Sequence, residues 1–483
     1  MTQGNRSEAS MGAHFNPDHA REMVEADWHE SIRPALEAFI GIPAKSPAFD
    51  RDWSDNGHID AAVALAEDWC RQQAPTGSHV EVIRLTGRTP LLWVDIPGTG
   101  AGETLLYGHL DKQPEASGWD TDKGPWTPVV EGDRLYGRGA ADDGYAVFAS
   151  LEAVRLLHDQ GIPHPRCMLL IECAEESGSP DLPAYIDYLG RRLGQPGLVV
   201  CLDSGCANYD QLWVTTSLRG MAAGDLRVRV LEQGVHSGDA GGVVPSSFRI
   251  ARSLLDRIED AATGAVRLPA LQADIPAERQ EQAQRAATVV GGDLAGKFPW
   301  ANGTQPNSDS TQTLILNRTW RPALEVIGAD GLPARAEAGN VLRSETALRL
   351  SLRLPPTVDG DTATRVMADT LTANPPQGAE VSFRAAGAAN GWNAPAFAGW
   401  LGDSLVASSE HWFGKPAVFM GEGGSIPLMN LLGRHFPAAR FLVTGVLGPG
   451  SNAHGPNEFL HMPMAKRLSG VVAEALAAQA AAG

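Results

Sequence analysis

The chain has 483 residues, 43% of them hydrophobic and 20% charged, with 39 Lys and Arg against 57 Asp and Glu. That length exceeds what one hydrophobic core organises, so two domains are expected. A formal charge of −18 repels phosphate backbones and anionic lipid, which argues against nucleic-acid and membrane partners while leaving room for a local arginine to receive an anionic substrate.

Residues 1–17 read as a loose tail. Over 17–39, Ala20, Met23, Val24, Trp28, Ile32 and Leu36 recur at three- and four-residue steps, which predicts an amphipathic helix. A second helix is expected over 59–72, followed by strands over 80–85, 91–96 and 104–107. A helix over 145–158 and short apolar runs at 167–173 and 198–202 continue a β–α rhythm. That rhythm belongs to an α/β domain built on a mostly parallel sheet. Near residue 215 the pattern changes. Stretches at 223–231, 314–317 and 346–354 alternate like half-exposed strands, 245–258 and 361–371 read as helices, and 379–384 as a strand. This predicts an α+β module, ferredoxin-like in its mix of elements, inserted between two parts of the first domain. Strands over 417–420 and 441–446 return to the α/β character. The polar, Gln- and Ala-rich stretch 268–309 has no clear assignment, and the Ala-rich end reads as frayed helix. The resulting division is 1–215 and 387–483 for the α/β domain and 216–386 for the insert.

Cys70, Cys167, Cys173, Cys201 and Cys206 lie mostly in or beside apolar runs, with no C-x-x-C pair. Reduced, buried thiols are the expectation. No apolar leader and no run of about 18 apolar residues is visible, so the cytoplasm is the expected location.

Acids and imidazoles collect where such a sheet binds ligands, at strand ends and in Gly-rich loops beside them. His109-x-Asp111 follows an apolar strand, and Asp111 can accept the second ring proton of His109, which fixes the tautomer. Asp142-Asp143 follow Gly137-Arg-Gly139 and open a helix; they read either as an N-cap or as a bridge between two cations. The segment lacks the third glycine of a dinucleotide fingerprint. Glu175-Glu176 close an apolar strand and are either solvated loop acids or a ligand beside a proton carrier. Asp203 ends another apolar run and reads as a turn former or a ligand. His454 lies in a Gly/Pro/Asn loop. Together His109, Asp142, Glu176, Asp203 and His454 suffice for two zinc ions, with Glu175 left to move protons.

The segments GHLD (108–111), LYGRGAADD (135–143), EESGS (175–179), LDSG (202–205), VHSG (235–238), RLP (353–355), GEGGSIP (421–427) and GSNAHGPNE (450–458) occur in the order found in a known family. The chain resembles the dinuclear zinc peptidases that include carnosinase-type dipeptidases, aminoacylase, glutamate carboxypeptidase and succinyl-diaminopimelate desuccinylase, and is most like the carnosinase-type members. The resemblance implies a zinc-hydrolase domain with an inserted lid and dimerisation domain. It implies two divalent metal ions per chain, zinc with Mn²⁺ or Co²⁺ as alternatives. His109, Asp142 and Asp203 match the ligands of one, and Asp142, Glu176 and His454 those of the other. Glu175 matches the general base and Asp111 the partner of His109. His236 matches a histidine that reaches the partner subunit's site, which implies a homodimer. Arg353 matches the arginine that grips a substrate carboxylate, and Ser425 in the Gly-rich loop is a candidate contact to the same substrate. Gly144-Tyr145 replace the Lys-Gly that often follows the Asp pair, and Gly421 stands where close carnosinase relatives carry Arg.

The implied activity is hydrolysis of the amide bond of a small, carboxylate-ended substrate, a dipeptide first. N-acyl-amino-acid deacylase or carboxypeptidase activity would use the same chemistry on a peptide or N-acyl amino acid. A non-catalytic metal-binding protein on a hydrolase scaffold is the alternative of another class, but every ligand and the base are retained. A serine hydrolase is disfavoured by the lack of a G-x-S-x-G elbow.

Overall fold

The structure, a computed structural model, describes residues 14–483. Residues 1–13 of the expected N-terminal tail lie outside the described residues. The chain divides into two compact units. Residues 14–214, Pro395–Ala417 and Phe436–Gly483 form one, and Thr215–Ala394 with Val418–His435 form the other.

The first unit is built on a six-stranded sheet in the order His79–Ile83, Leu91–Ile96, Arg166–Glu172, Glu103–His109, Leu198–Cys201, Arg440–Val443. The last four run parallel; the first two form an antiparallel hairpin joined antiparallel to them. Leu105, Leu106, Tyr107, Leu169, Leu170, Val199 and Val200 are fully buried. Strands covered on both faces read as unbroken apolar runs, which is why these segments show no alternation in sequence. The helices Tyr145–Asp159 and Met462–Ala482 pack against each other.

The Ala-rich end is thus no frayed helix. Leu468, Val471, Val472, Ala475 and Leu476 are fully buried. Gln479 donates to the Glu103 carbonyl at 2.9 Å and accepts from Thr104 Oγ1. The misreading came from composition. Alanine contributes little apolar area, but it lets a helix approach closely, and Gly470 lies directly against the Trp412 ring.

The second unit carries a four-stranded antiparallel sheet, ordered Ala323–Asp330, Glu345–Leu354, Gly220–Arg229, Glu380–Ala389. Its core joins Leu226, Val228, Leu350 and Leu352 from the strands to Ile250, Leu254, Met367 and Leu371 from the helices Ser247–Leu255 and Gly360–Thr372. One covered face explains the alternation visible in sequence. A three-stranded sheet places Trp213–Leu218 between Trp392–Asn393 and Val418–Glu422. Three readings change here. Residues 314–317 belong to the helix Thr311–Thr319, which Ser310 caps by accepting from the Thr313 N–H, with Ile315, Leu316 and Thr319 turned inward. Within 268–309 lies the helix Ala277–Val290, whose inner face is Ala283, Ala286 and Val290, small residues that left little apolar signal. The strand near 417–420 pairs in this unit and not in the six-stranded sheet.

No helix among the described residues is long and apolar enough to cross a membrane. All five cysteines are buried, and none forms a disulfide.

Two predictions follow from the first unit's packing. A Cβ at Gly470 would stand 1.9 Å from Trp412, so Gly470→Val should cost about 1–3 kcal/mol, read as a lowered midpoint in urea. Glu152 is buried and its Oε1 has no partner. Burial, helped by Asp27, raises its carboxyl from 4.5 to about 8. A folded value above the unfolded one means stability present at pH 4.5 is lost as pH rises toward 8, at up to about 1.4 kcal/mol per unit. Glu152→Gln should flatten that decline, measured by denaturation at pH 5 and pH 8.

Candidate metal centre

Register brings the acidic segments together. His109 is the last residue of Glu103–His109, which lies between Arg166–Glu172 and Leu198–Cys201 in the sheet. His109 stands opposite Glu172 and Tyr107 opposite Cys201. The residues just beyond these parallel strands, Glu175, Glu176 and Asp203, therefore leave the sheet at the same edge as His109. Asp142 sits in the turn Ala140–Gly144 ahead of the helix Tyr145–Asp159. His454 comes from the loop before Phe459–His461, in the left-handed region at φ 66°.

Two clusters of donor atoms result: His109, Asp142 and Asp203, and Asp142, Glu176 and His454, with all ligand atoms of a cluster within 4.8 Å of one another. Asp142 belongs to both. Its Oδ1 is 3.5 Å from His109 Nε2 and its Oδ2 is 2.9 Å from His454 Nε2. Asp203 Oδ2 lies 3.7 Å from His109 Nε2, and Glu176 Oε2 lies 3.5 Å from His454 Nε2. His109 Nδ1 is 3.0 Å from the backbone oxygen of Asp111 and 3.4 Å from its carboxylate. The Asp111 carboxylate mainly accepts the backbone N–H groups of Glu175 at 3.1 Å and Glu176 at 3.0 Å. It therefore positions the acidic turn as well as the imidazole.

The donors fit divalent cations. His109 Nε2 and Glu176 Oε1 are buried and lack any hydrogen-bond partner, and such atoms are costly to leave unmade. Burial first, then mutual repulsion, raises the carboxyls of Glu175, of Glu176 to about 9 and of Asp203 to about 7. Asp142 is the exception. Burial opposes its charge, but hydrogen bonds from His109 and His454 hold it below the ordinary carboxylate range. His109 is raised in turn, because Asp111 and Asp142 outweigh its burial. A nest of buried acids with two imidazoles lacks positive charge, and cations coordinated by carboxylate and imidazole supply it.

The remaining candidates belong to the second unit. Arg353 Nη1 is 3.4 Å from Ser425 Oγ. His236 is exposed, on the two-residue strand Val235–His236 that pairs with Val341–Leu342.

Residues 105–478 match the model of peptidase family M20/M25/M40. The chain belongs to that family. It is a metallopeptidase, and the family inferred from its motifs is the family it matches. It is 29% identical over 396 residues to the cysteinylglycine-S-conjugate dipeptidase of Corynebacterium striatum, covering 78% of this chain and 82% of that protein. It is 26% identical over 305 residues to the human Beta-Ala-His dipeptidase, covering 62% and 58%. The dipeptidase Dug1p of Saccharomyces cerevisiae has the same fold, with a TM-score of 0.75 at 19% identity over 97% of this chain and 99% of that one.

Sequence reasoning passed over the residues that hold the M20/M25/M40 motifs in place. Arg138 and Glu458 form a fully buried ion pair. Glu458 Oε1 also accepts the Gly139 N–H at 2.9 Å, while Arg138 donates to the carbonyls of Gly455 at 2.9 Å and Pro114 at 3.1 Å. The pair ties the Asp142 loop to the His454 loop. Both residues lay inside quoted motifs, which was the available signal. Tyr145, the second residue after the Asp pair, donates to the carbonyl of Leu202 at 2.5 Å and so fixes the residue before Asp203. Gln113 Nε2 donates to Glu176 Oε2 at 2.5 Å.

Removing one member of a buried pair leaves an uncompensated charge. Arg138→Met should cost about 3–5 kcal/mol, and it should weaken cation uptake at the donor cluster containing His454 more than at the one containing His109. Denaturation with metal titration of the variant reads both effects.

Proposed function

We propose that this metallopeptidase is a dipeptidase working with two divalent cations, zinc first with Mn²⁺ or Co²⁺ as substitutes. His109, Asp142 and Asp203 hold one and Asp142, Glu176 and His454 the other. The observation that carries this reading is Asp142, whose two oxygens face different histidines. A cation pair so held supplies Lewis acidity toward a water and the scissile carbonyl.

The chain's own residues do the rest. Glu175, outside both clusters and positioned through its N–H on Asp111, accepts a proton from the attacking water and returns it to the leaving amine. Arg353, beside Ser425, grips the substrate's terminal carboxylate with a two-pronged guanidinium. His236 donates to the carbonyl oxygen as charge builds there, acting on a second copy in a homodimer. Its exposure supports that assignment. Relatives that act on cysteinylglycine conjugates and Beta-Ala-His support a dipeptide substrate. Five buried cysteines outside any disulfide support a reducing compartment such as the cytoplasm.

Glu175→Gln should lower kcat about a thousandfold while bound metal stays near two per chain. Chelation should abolish turnover, and Zn²⁺, Mn²⁺ or Co²⁺ should restore it. Normal kcat in the variant, or full activity without metal, would refute the assignment. Dipeptides assayed beside N-acetyl and N-succinyl amino acids separate the dipeptidase from a deacylase.

A further inference from the structure

Three arginines of the second unit converge on the strand end and loop at 421–425, with one acid among them. Arg219 is only 9% exposed. It is held by its Nε on the Gly423 carbonyl at 3.2 Å and its backbone N–H on the Gly424 carbonyl at 3.0 Å. Arg318 Nη2 is 3.1 Å from the Glu422 carboxylate, and its Nε is buried with no partner. Arg353 approaches Ser425 Oγ, and Ser425 in turn donates to the Arg219 carbonyl. A Cβ at Gly423 would lie 3.0 Å from Arg318 Cγ and 3.4 Å from Arg219 Nη2, so the loop is shaped around these two side chains.

Among the described residues, neither Arg219 nor Arg353 forms an ion pair. Burial, and then repulsion from Arg353 and Arg318, lowers Arg219 to about 10. Lys297 is lowered too, by burial and by Arg318. Buried like charges are retained where something neutralises them. Glu422 offsets Arg318, and a substrate α-carboxylate would offset Arg353. One buried guanidinium then remains without a counter-charge.

We propose that Arg219 and Arg318 form a seat for a second substrate anion beside the α-carboxylate held by Arg353. Preferred substrates are then dipeptides whose C-terminal residue carries a carboxylate side chain. The proposal rests on the dipeptidase reading and narrows it. Arginine suits the task because its planar fork meets a carboxylate with two parallel hydrogen bonds. The neutral amide of equal shape leaves the guanidinium uncompensated, and sites built for a charged group discriminate strongly against such an analogue.

The test compares kcat/KM of the metal-loaded enzyme for Ala-Glu and Ala-Asp with the isosteric Ala-Gln and Ala-Asn. The acids should be favoured by about tenfold or more, mainly through KM. Arg219→Met and Arg318→Met should bring the acid-to-amide ratio toward one, and Arg219→Lys should recover part of it. A wild-type ratio at or below one overturns the proposal, as does an equal fall for all four substrates in Arg219→Met. Should the Met variants fail to fold, competitive inhibition of the wild-type enzyme by free glutamate against glutamine gives the same comparison. If no dipeptide is cleaved but N-acetyl amino acids are, the dipeptidase reading fails, and the ratio of N-acetyl-glutamate to N-acetyl-glutamine still decides the seat.

Discussion

The carboxylate of Asp142 between two imidazoles is the constraint the first unit is organised around. A buried carboxylate is tolerable only with compensating charge or hydrogen bonds, and here both of its oxygens are committed, one toward His109 and the other toward His454. These histidines lie far apart in sequence and arrive on unrelated elements. The parallel strands deliver His109, the Glu175-Glu176 turn and Asp203 to one edge. The Arg138–Glu458 pair then ties the loop bearing Asp142 to the loop bearing His454. Asp111 works in the same way at smaller scale, since its carboxylate holds two consecutive backbone amides of the acidic turn.

Much of this was legible in sequence, for a physical reason. Fully buried parallel strands must be apolar throughout, so the runs around Leu105, Leu169 and Val199 were visible. Polar residues that immediately follow such runs can only sit at a sheet edge. Half-exposed strands such as Glu345–Leu354 announced themselves by alternation. What stayed hidden depends on contacts that have no local pattern. The alanines of Met462–Ala482 and Ala277–Val290 pack by being small, which composition reports as weak hydrophobicity. Leu314-Ile315-Leu316 fits a strand as easily as a helix until Ser310 is seen to cap it. Arg138 and Glu458 are separated by 320 positions, and nothing near either one names the other.

The second unit shows the same logic with the sign reversed. Where the first unit concentrates acids that call for cations, the 421–425 loop concentrates guanidinium groups that call for anions. Gly421 and Gly423 bear on that arrangement in different ways. Gly423 leaves room for Arg219 and Arg318. Gly421 leaves room for the side chains of Ser217 and Thr319, since a Cβ there would sit 2.3 Å from Ser217 Oγ and 3.0 Å from Thr319 Cβ. The departure from the Arg of carnosinase-type relatives thus sits within a loop already served by arginines from elsewhere in the unit.

The hold that Gln479 has on Thr104 and Glu103 has a bearing on how the molecule is made. Those contacts join positions 375 and 376 apart, and they secure the start of the strand that ends in His109. On the ribosome, where earlier segments emerge and fold first, both parts of the second unit, Thr215–Ala394 and Val418–His435, precede Gln479. The inserted unit can thus be finished while its host still lacks the contacts of Gln479.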